Sequence, residues 1–466
     1  MGSNLTAGTE KAERQNAEIS QRSAAKSIFA VPGKLTVPSG RNTIVPMFGR
    51  ALSAFVLTLV LWLGFATAQS ADWPQFRGPD GQGHAVVRGI PTEWGRTNIV
   101  WQVEVPGNGW SSPILQRDRI FLTTATPADG DKQSLGVFCF DTHSGKTLWS
   151  TELFSAVPQA GHKKNSHASA TPIADGERIY AHFGPYGTAA LDLNGKVLWR
   201  NTALKYSSVH GNGGSPILVN DALIFSCDGA SDPFVVALDK ANGEVLWKTA
   251  RTTEPKKTFS FSTPLAIEIN GQTQVVSPTS GGVMAYDPGN GKEIWRVRYP
   301  EGYSVVPRPV FGHGLVFVSS AFDRPVLYAI RPDGKGDVTD THIAWSISKG
   351  APNTPSPLLV DGEIYFVSDA GIMTCADAKT GTIHWQERVG GNYSTSPVFA
   401  AGRIFLQSEE GMGTVLKPGK AFEVLAKNDL KERTLASYAV DEGVIYIRGA
   451  EHLFCVQQPV AVPLSK

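Results

Sequence analysis

A tryptophan recurs along the chain at nearly constant intervals, and no other sequence feature restricts the possible folds as strongly. Five copies of one motif, in which an Asp and then a Gly precede the Trp, end at Trp149, Trp199, Trp247, Trp295 and Trp385. Three further copies lack part of the motif and end at Trp101, Trp345 and Ala426. Intervals of about 40 to 50 residues indicate a repeat architecture.

Each copy of the repeat has the pattern of four short strands joined by turns. An apolar run such as RIFLTT (119–124) is followed by a second run such as VVALD (235–239) and then by the Asp–Gly turn and the Trp strand. The turn is plausible chemically because Asp accepts bonds from turn N–H groups and Gly takes positive φ. A short stretch of small residues ending in proline opens seven of the copies, at Pro113, Pro172, Pro216, Pro264, Pro309, Pro357 and Pro397. Four strands in a copy of this length predict one blade of a β-propeller.

The two ends of the repeat complement each other. The last copy lacks its fourth strand, whereas 99–105 is a fourth strand without the preceding three. Pairing 99–105 beside 453–456 would close the ring and remove free sheet edges. We therefore predict an all-β fold over 99–458, an eight-bladed β-propeller of four-stranded antiparallel blades closed by the N-terminal strand. The five motif Trp side chains should be largely buried between blades.

These copies resemble the PQQ-type repeat of the quinoprotein and BamB-like β-propeller family. The shared pattern is A-x-D-x-x-x-G-K-x-x-W, preceded by S-x-P and G-x-I-Y. The family includes quinoprotein alcohol dehydrogenases and the non-catalytic outer-membrane assembly protein BamB. The segment DWPQFRGPDGQG (72–83) is also similar to the start of exported propeller proteins of planctomycete-type bacteria, and we expect it to pack as a lid or belt. The resemblance implies the fold, but no cofactor, because the repeat is a structural signature.

The chain departs from the quinoprotein dehydrogenases of this family in two respects. It has no pair of adjacent Cys, which those enzymes typically carry under the quinone, and its blades lack long insertions. We therefore expect an exported, non-catalytic binding or protein-interaction scaffold without a cofactor. The alternative is a dehydrogenase that depends on PQQ and calcium and oxidises alcohols or sugars.

The N-terminal region has the pattern of an export signal. An apolar run at 51–65 follows Arg50 and precedes an A-x-A site, which is typical of a secretory signal peptide. We expect an upstream or disordered extension at 1–46, a signal peptide at 47–68 cleaved after Ala68, an extended segment at 69–98 and a tail at 459–466. The mature protein would lie in the periplasm or cell envelope without a stable membrane span. Retention of 51–65 as an anchor is the alternative.

Charge and cysteine content narrow the possible partners and redox chemistry. The net charge is +1 and no basic stripe is present, which argues against nucleic acid as a partner. We expect other exported or envelope proteins, or a small ligand in the channel, as partners. Three of the four Cys, at Cys139, Cys375 and Cys455, occupy a position filled by Ala in other copies. A small buried side chain explains all of them, so we expect four free thiols.

The loops that enter each first strand are the best candidates for a binding site, because they vary while the strands repeat. In this family they line the top of the central channel. We predict a ligand site there, built by one residue from each of five blades: His167, His210, Arg308, Tyr393 and Arg433. His167 and His210 occupy similar places in neighbouring blades and could face one another, although no third metal ligand is evident.

One acidic loop has a pattern related to calcium loops. Asp333, Asp337 and Asp340 alternate with Gly in RPDGKGDVTD (331–340). A calcium ion needs six or more oxygen ligands, and the Glu that completes an EF-hand is absent. The loop is therefore a weak calcium candidate, and the alternative is a long turn without metal.

Overall fold

The computed structural model describes residues 72–95, 97–252, 257–299 and 302–458. The expected N-terminal extension, signal peptide, cleavage site and C-terminal tail lie outside these residues. The described strands form eight separate sheets, each with four antiparallel strands, and thus confirm the predicted eight-bladed propeller. Two sheets gain a short fifth strand that pairs in parallel.

The first four blades follow one another along the chain. Blade 1 contains Ile114–Gln116, Arg119–Pro127, Gln133–Asp141 and Thr147–Ala156. Blade 2 contains Ile173–Ala174, Arg178–His182, Thr188–Asp192 and Val197–Asn201, with a 3-10 turn at Gly184–Tyr186. Blade 3 contains Ile217–Val219, Ala222–Cys227, Phe234–Asp239 and Val245–Ala250. Blade 4 contains Leu265–Ile269, Gln272–Thr279, Gly282–Tyr286 and Glu293–Arg298.

The remaining blades complete the ring. Blade 5 contains Val310–Gly312, Leu315–Ser319, Leu327–Ile330 and Ile343–Ile347, with the added strand Gly336–Asp337 and the helix Thr339–His342 before its outer strand. Blade 6 contains Leu358–Val360, Glu363–Val367, Ile372–Asp377 and Ile383–Arg388. Blade 7 contains Val398–Ala400, Arg403–Gln407, Met412–Leu416 and Val424–Asp429, with His84–Ala85 added to its inner strand. Blade 8 contains Ala439–Asp441, Val444–Arg448 and His452–Gln457, and it takes Ile99–Glu104 as its outer strand.

The ring closes as the sequence predicts. Ile99–Glu104 pairs antiparallel with His452–Gln457, and Trp101 lies opposite Cys455. Both ends of the repeat therefore share one sheet, and backbone hydrogen bonds within blade 8 hold them together.

The repeated Trp occupies one register position throughout the ring. In seven blades it lies opposite a small residue of the third strand, in the pairs Trp101–Cys455, Trp149–Cys139, Trp199–Ala190, Trp247–Ala237, Trp295–Ala285, Trp345–Ala329 and Trp385–Cys375. All eight outer strands also carry a β-bulge at the residue before this position. A bulge bends a strand and redirects its side chains, and here it accompanies a Trp that reaches the next blade.

The Asp–Gly turn of one blade is the surface on which the Trp of the preceding blade packs. Trp199 donates its indole N–H to the Lys240 carbonyl, 3.0 Å away, and its ring covers Gly243. A Cβ on Gly243, whose φ is +77°, would lie 2.5 Å from that ring, so the turn needs glycine for both reasons. Corresponding contacts join Trp101 to Gly145, Trp149 to Gly195, Trp247 to Gly291 and Trp345 to Gly381.

Burial of the five motif Trp side chains is not uniform. Trp295 is fully buried, and Trp199 and Trp247 are at most 9% exposed. Trp149 and Trp385 are only half-buried, which is less than the sequence suggests. Trp295 also differs in its partner, because its N–H bonds to Gln274 of its own blade. The strand Gly336–Asp337 lies parallel to the strand that carries Trp295 and covers it.

The four cysteines are free and buried, as predicted. Burial raises the pKa of the Cys139 and Cys455 thiols to about 12, so neither ionises at neutral pH. We expect a thiol titration to find four reactive equivalents after denaturation and almost none before. A smaller number after denaturation would show that some of these thiols form disulfides.

Candidate functional site

A cavity of about 360 Å³ occupies the centre of the ring. Its lining comes from all eight blades and from the N-terminal segment, so the cavity is the central channel of the propeller. It lies where the chain enters the inner strands, which is the end that the sequence predicts as the mouth. The described lining residues are mainly hydroxyl-bearing and aromatic, with His162, Lys164 and His210 as basic groups and no Asp or Glu.

A series of hydrogen bonds encircles this cavity and is interrupted only between blades 4 and 5 among the described residues. In seven blades a Ser or Thr stands just before the proline that opens the inner strand; in blade 8, Tyr438 takes the place of that proline. The hydroxyl oxygen of each Ser or Thr accepts a hydrogen bond from a backbone N–H of the preceding blade. We call these residues the hydroxyl ring: Ser112, Thr171, Ser215, Thr263, Ser356, Ser396 and Ser437. The seven N···O distances lie between 2.9 and 3.1 Å. The small-residue motif of the sequence is thus an inter-blade linkage at the channel wall.

In blade 5 the position of the hydroxyl ring is occupied by Arg308, whose side chain binds the N-terminal segment. Its backbone N–H donates to the Ser356 hydroxyl, 2.9 Å away, as the backbone N–H groups of most ring residues do to the next hydroxyl, but its guanidinium turns away from the mouth. Nε donates to the Pro264 carbonyl at 3.1 Å, Nη1 to the Phe76 carbonyl at 2.6 Å and Nη2 to Gln75 Oε1 at 3.1 Å. The side chain is 2% exposed, and burial lowers the pKa of the guanidinium. Arg308 therefore fastens the N-terminal segment rather than contacting solvent in the mouth.

The segment 73–85, which we call the plug, closes the end of the channel opposite the mouth. Its backbone bonds to the inner strands of blades 1 and 2, through Leu115 and Ala174. The side-chain oxygen of Gln82 accepts a hydrogen bond from the backbone N–H of Phe311 in blade 5. The ring of His84 bonds to the Leu359 carbonyl of blade 6, and the backbone of His84 pairs in parallel with Phe399 of blade 7. Phe76 forms part of the cavity lining. The channel is therefore blind, with one open end.

Only part of the predicted five-residue site converges on the cavity. His210 lines the cavity, and Arg308 lies beneath it. His167 is 7% exposed and packs against Tyr186, with ring centroids 5.3 Å apart, and desolvation lowers its pKa. Tyr393 is 1% exposed within the hydrophobic core shared by blades 6 and 7, where desolvation raises its pKa to about 12. Arg433 is exposed and lies over the Trp110 ring, 5.4 Å from its centroid.

The expected pairing of His167 with His210 is wrong. The ring of His210 instead faces His162, with centroids 5.6 Å apart. His162 belongs to the loop 157–172, which we call the mouth loop and which reaches blade 3 through a bond from the His162 N–H to the His210 carbonyl. The prediction failed because equivalent sequence positions in loops of unequal length do not place side chains equivalently.

The structure adds residues that the sequence did not single out. Lys164 of the mouth loop forms an ion pair with Glu409 of blade 7, with Nζ and Oε1 2.7 Å apart, so this loop spans part of the mouth. Phe261, Tyr303 and Phe322 form an aromatic side of the cavity. Phe261 and Tyr303 lie in first-strand loops and could have been chosen from their type. Phe322 follows a second strand, so a search restricted to the first-strand loops could not find it.

The Asp side chains of the acidic loop 331–340 do not converge on one point. Asp337 pairs with Arg298 and accepts a bond from Thr339, whereas Asp333 lies 3.6 Å from His342. Within the described ranges no three or more His, Cys, Asp or Glu residues are grouped so that they could hold a metal ion. The loop instead supplies the strand that covers the outer edge of blade 4.

The cavity lining also does not fit the calcium ion that the quinoprotein alternative requires. Ca²⁺ takes six to eight oxygen ligands, commonly including carboxylates. The described lining residues offer hydroxyl groups and basic side chains but no carboxylate. We therefore derive no reaction step through PQQ and calcium.

Together the repeated Trp, the eight four-stranded blades and the ring of Ser and Thr hydroxyls define a PQQ-type repeat β-propeller. The family profile described as outer membrane protein assembly factor BamB matches residues 92–225, 194–344 and 336–450. The chain belongs to this family. Among the described residues, no helix has the length and apolar character needed to cross a membrane.

Individual relatives agree with this assignment. Outer membrane protein assembly factor BamB of Yersinia pestis is 22% identical over 330 residues, which is 69% of this chain and 68% of that protein. The crystal structure of BamB from Moraxella catarrhalis superposes with a TM-score of 0.54 at 13% identity, over 77% of this chain and 99% of that one. Quinohemoprotein alcohol dehydrogenase from Comamonas testosteroni gives a TM-score of 0.64 at 12% identity, over 85% and 82% of the two chains. Identities this low in the two structures show a shared fold only.

Proposed function

We propose that this protein is an exported, non-catalytic scaffold of the cell envelope that binds its partner at the open mouth of the channel. The observation that carries the proposal is the asymmetry of the channel. One end is closed by the plug, and the other exposes a cavity whose aromatic and basic side chains come from loops of several blades. Rigid blades that hold variable loops around a concave surface are a common arrangement for a binding site.

Two further features support this proposal. The blades repeat closely in strand order, in the position of the Trp and in the hydroxyl ring, so these shared features serve the fold. The mouth loop, in contrast, extends from blade 1 to contacts in blades 3 and 7. The family relationship to an outer membrane assembly factor favours a protein partner in the envelope. The signal peptide that we propose at 47–68 would carry the protein there.

Site-specific crosslinking in the producing cells tests the proposal. In one variant a photoreactive amino acid replaces Phe322, a residue at the mouth that is 37% exposed. In the matched control it replaces Leu198, a residue on the outer edge of blade 2 that is 42% exposed. We expect a discrete crosslinked protein from position 322 and none from position 198. Crosslinks from position 198 alone would assign binding to the outer edge, and none from either position would contradict a scaffold function.

The quinoprotein alternative has a separate test. Purified protein is mixed with PQQ and calcium, its absorbance spectrum is recorded, and dye-linked oxidation of alcohols and sugars is measured. We expect neither a spectrum of bound quinone nor cofactor-dependent oxidation. Turnover that requires both additions would replace the scaffold by a dehydrogenase.

A further inference from the structure

The ring of His84 lies where the plug meets blade 6, and both of its nitrogens face hydrogen-bond acceptors. Nδ1 lies 2.8 Å from Asp80 Oδ2 within the plug, and Nε2 lies 2.6 Å from the Leu359 carbonyl oxygen of blade 6. A carbonyl oxygen and an ionised carboxylate accept hydrogen bonds but cannot donate them. Because a histidine ring donates from both nitrogens only when it is protonated, this geometry requires the imidazolium form of His84.

A neutral ring would not fit the same position. Whichever nitrogen kept its hydrogen, the lone pair of the other would face an oxygen at the present distance of 2.6 or 2.8 Å. The ring would then have to move away from Asp80 or from Leu359. The backbone of His84 belongs to a strand of two residues, His84–Ala85, which pairs with Phe399 and Ala400 of blade 7. Movement of the ring would therefore disturb a short strand pairing that holds the plug.

The groups around this pair support the charged forms of both partners. Burial alone would lower the pKa of His84, but its bonds to Asp80 and to the Leu359 carbonyl outweigh burial and raise the pKa. Burial alone would raise the pKa of Asp80, but the bonds that it accepts, first among them the one from His84, lower the pKa. The buried guanidinium of Arg77 opposes the charge on His84, and Arg308 is a second buried cation that interacts with Asp80.

We propose that this junction is a pH-sensitive latch, in which the imidazolium of His84 fastens residues 80–85 to blade 6 and loss of its proton releases them. The sign follows from the raised pKa of His84. The latch contributes fully below about pH 6.5, the ordinary pKa of histidine, and is lost as the pH rises through the pKa in the folded protein. On the acid side, the latch is lost only as the pH falls through the lowered pKa of Asp80.

The latch acts on one half of the plug. The other half is held by backbone bonds between Trp73 and Leu115 and by the guanidinium of Arg308, which binds Gln75 and Phe76. Neither a backbone amide nor a guanidinium changes its charge near neutral pH. We therefore infer that the closed end of the channel loosens beside blades 6 and 7 while 73–78 stays in place. This inference concerns the end opposite the mouth and does not depend on a partner at the mouth.

Nuclear magnetic resonance of the purified protein with ¹³C-labelled histidine tests the charge of His84. The signal of His84 is the one that His84→Gln removes, and its shift is followed from pH 5 to pH 9. We expect a titration above that of histidine in the denatured protein, and a lower one in Asp80→Asn, which keeps an acceptor oxygen but removes the charge. A wild-type His84 that is neutral at pH 6 would overturn the latch, and this measurement needs no stable variant beyond the one used for assignment.

Hydrogen exchange with mass spectrometry tests the release. The rates at pH 6 and pH 8 are each divided by the intrinsic rate of an unfolded peptide at the same pH, which gives a protection factor. We expect protection in 80–85 to fall at least about threefold between pH 6 and pH 8, while protection in 73–78 stays constant. Equal protection of 80–85 at the two pH values would overturn the release.

A matched pair of histidine variants assigns the pH dependence to its group. His84→Gln cannot carry a charge, so 80–85 should exchange at pH 6 about as fast as in the wild type at pH 8, without further change. His313→Gln is the control, because His313 is an exposed histidine of blade 5 whose ring bonds to a backbone carbonyl, that of Asp361. It should keep the full pH dependence. A dependence that persists in His84→Gln, or disappears in His313→Gln alone, would contradict the assignment to His84.

Discussion

Replacing Trp295 by Ala is expected to lower the free energy of unfolding by about 3–5 kcal/mol, the range for truncation of a large buried aromatic side chain. Trp295 is fully buried, packs between blades 4 and 5, and donates its indole N–H to Gln274 Oε1 at 2.8 Å. The change therefore leaves a cavity and removes the partner of a buried amide oxygen. Equilibrium unfolding in urea measures the loss.

The half-buried Trp149 provides the matched control for this prediction. It holds the same register position in blade 1 but keeps part of its ring in solvent, so Trp149→Ala should cost clearly less than Trp295→Ala. A loss below about 1 kcal/mol at Trp295 would show that the Trp is not part of the core. Equal losses at both positions would show that burial does not decide the effect.

Replacing Arg308 by Met should release the plug. The guanidinium donates to Pro264, Phe76 and Gln75, and hydrogen bonds from a charged group contribute about 1.5–3 kcal/mol each before the cost of burying the charge. We expect a net loss of about 2–4 kcal/mol in the free energy of unfolding and faster hydrogen exchange at 73–85. Hydrogen exchange with mass spectrometry resolves this segment from the blades.

Arg433→Met is the control for the release of the plug. Arg433 is an exposed arginine at the mouth, whose guanidinium lies over Trp110, so its loss should leave exchange at 73–85 unchanged. Unchanged exchange in Arg308→Met would mean that the strand pairing of His84 and the backbone bonds of the plug hold it without the guanidinium.

The fold could be predicted because its determinants repeat. The spacing of the Trp residues gave the number of blades, and the incomplete last copy indicated the closure by 99–105. What the sequence did not reveal was how neighbouring copies meet. The bond of Trp199 to the Lys240 carbonyl and its packing on Gly243 join residues that lie about forty positions apart, so each copy alone shows a turn and an aromatic residue without their contact.

The candidate site was harder to predict because it depends on side-chain direction. His167 and His210 occupy similar loop positions, yet one is buried against Tyr186 and the other borders the cavity. The hydroxyl ring was visible only as small residues before proline. Its role depends on a neighbour in the next blade, as in the bond from the Thr171 N–H to Ser215. Repetition therefore identified the scaffold, whereas the site required the geometry between copies.

The central claim is that the open mouth of the channel is the binding site, and crosslinking in the producing cells from a second pair of positions tests it most directly. A photoreactive amino acid replaces Tyr303, which lines the cavity at the mouth, in one variant, and Val245, which is exposed on the outer strand of blade 3, in the other. The account predicts that position 303 captures the same protein as position 322 and that position 245 captures none. Crosslinking from position 245 alone, or from neither position, would contradict the account.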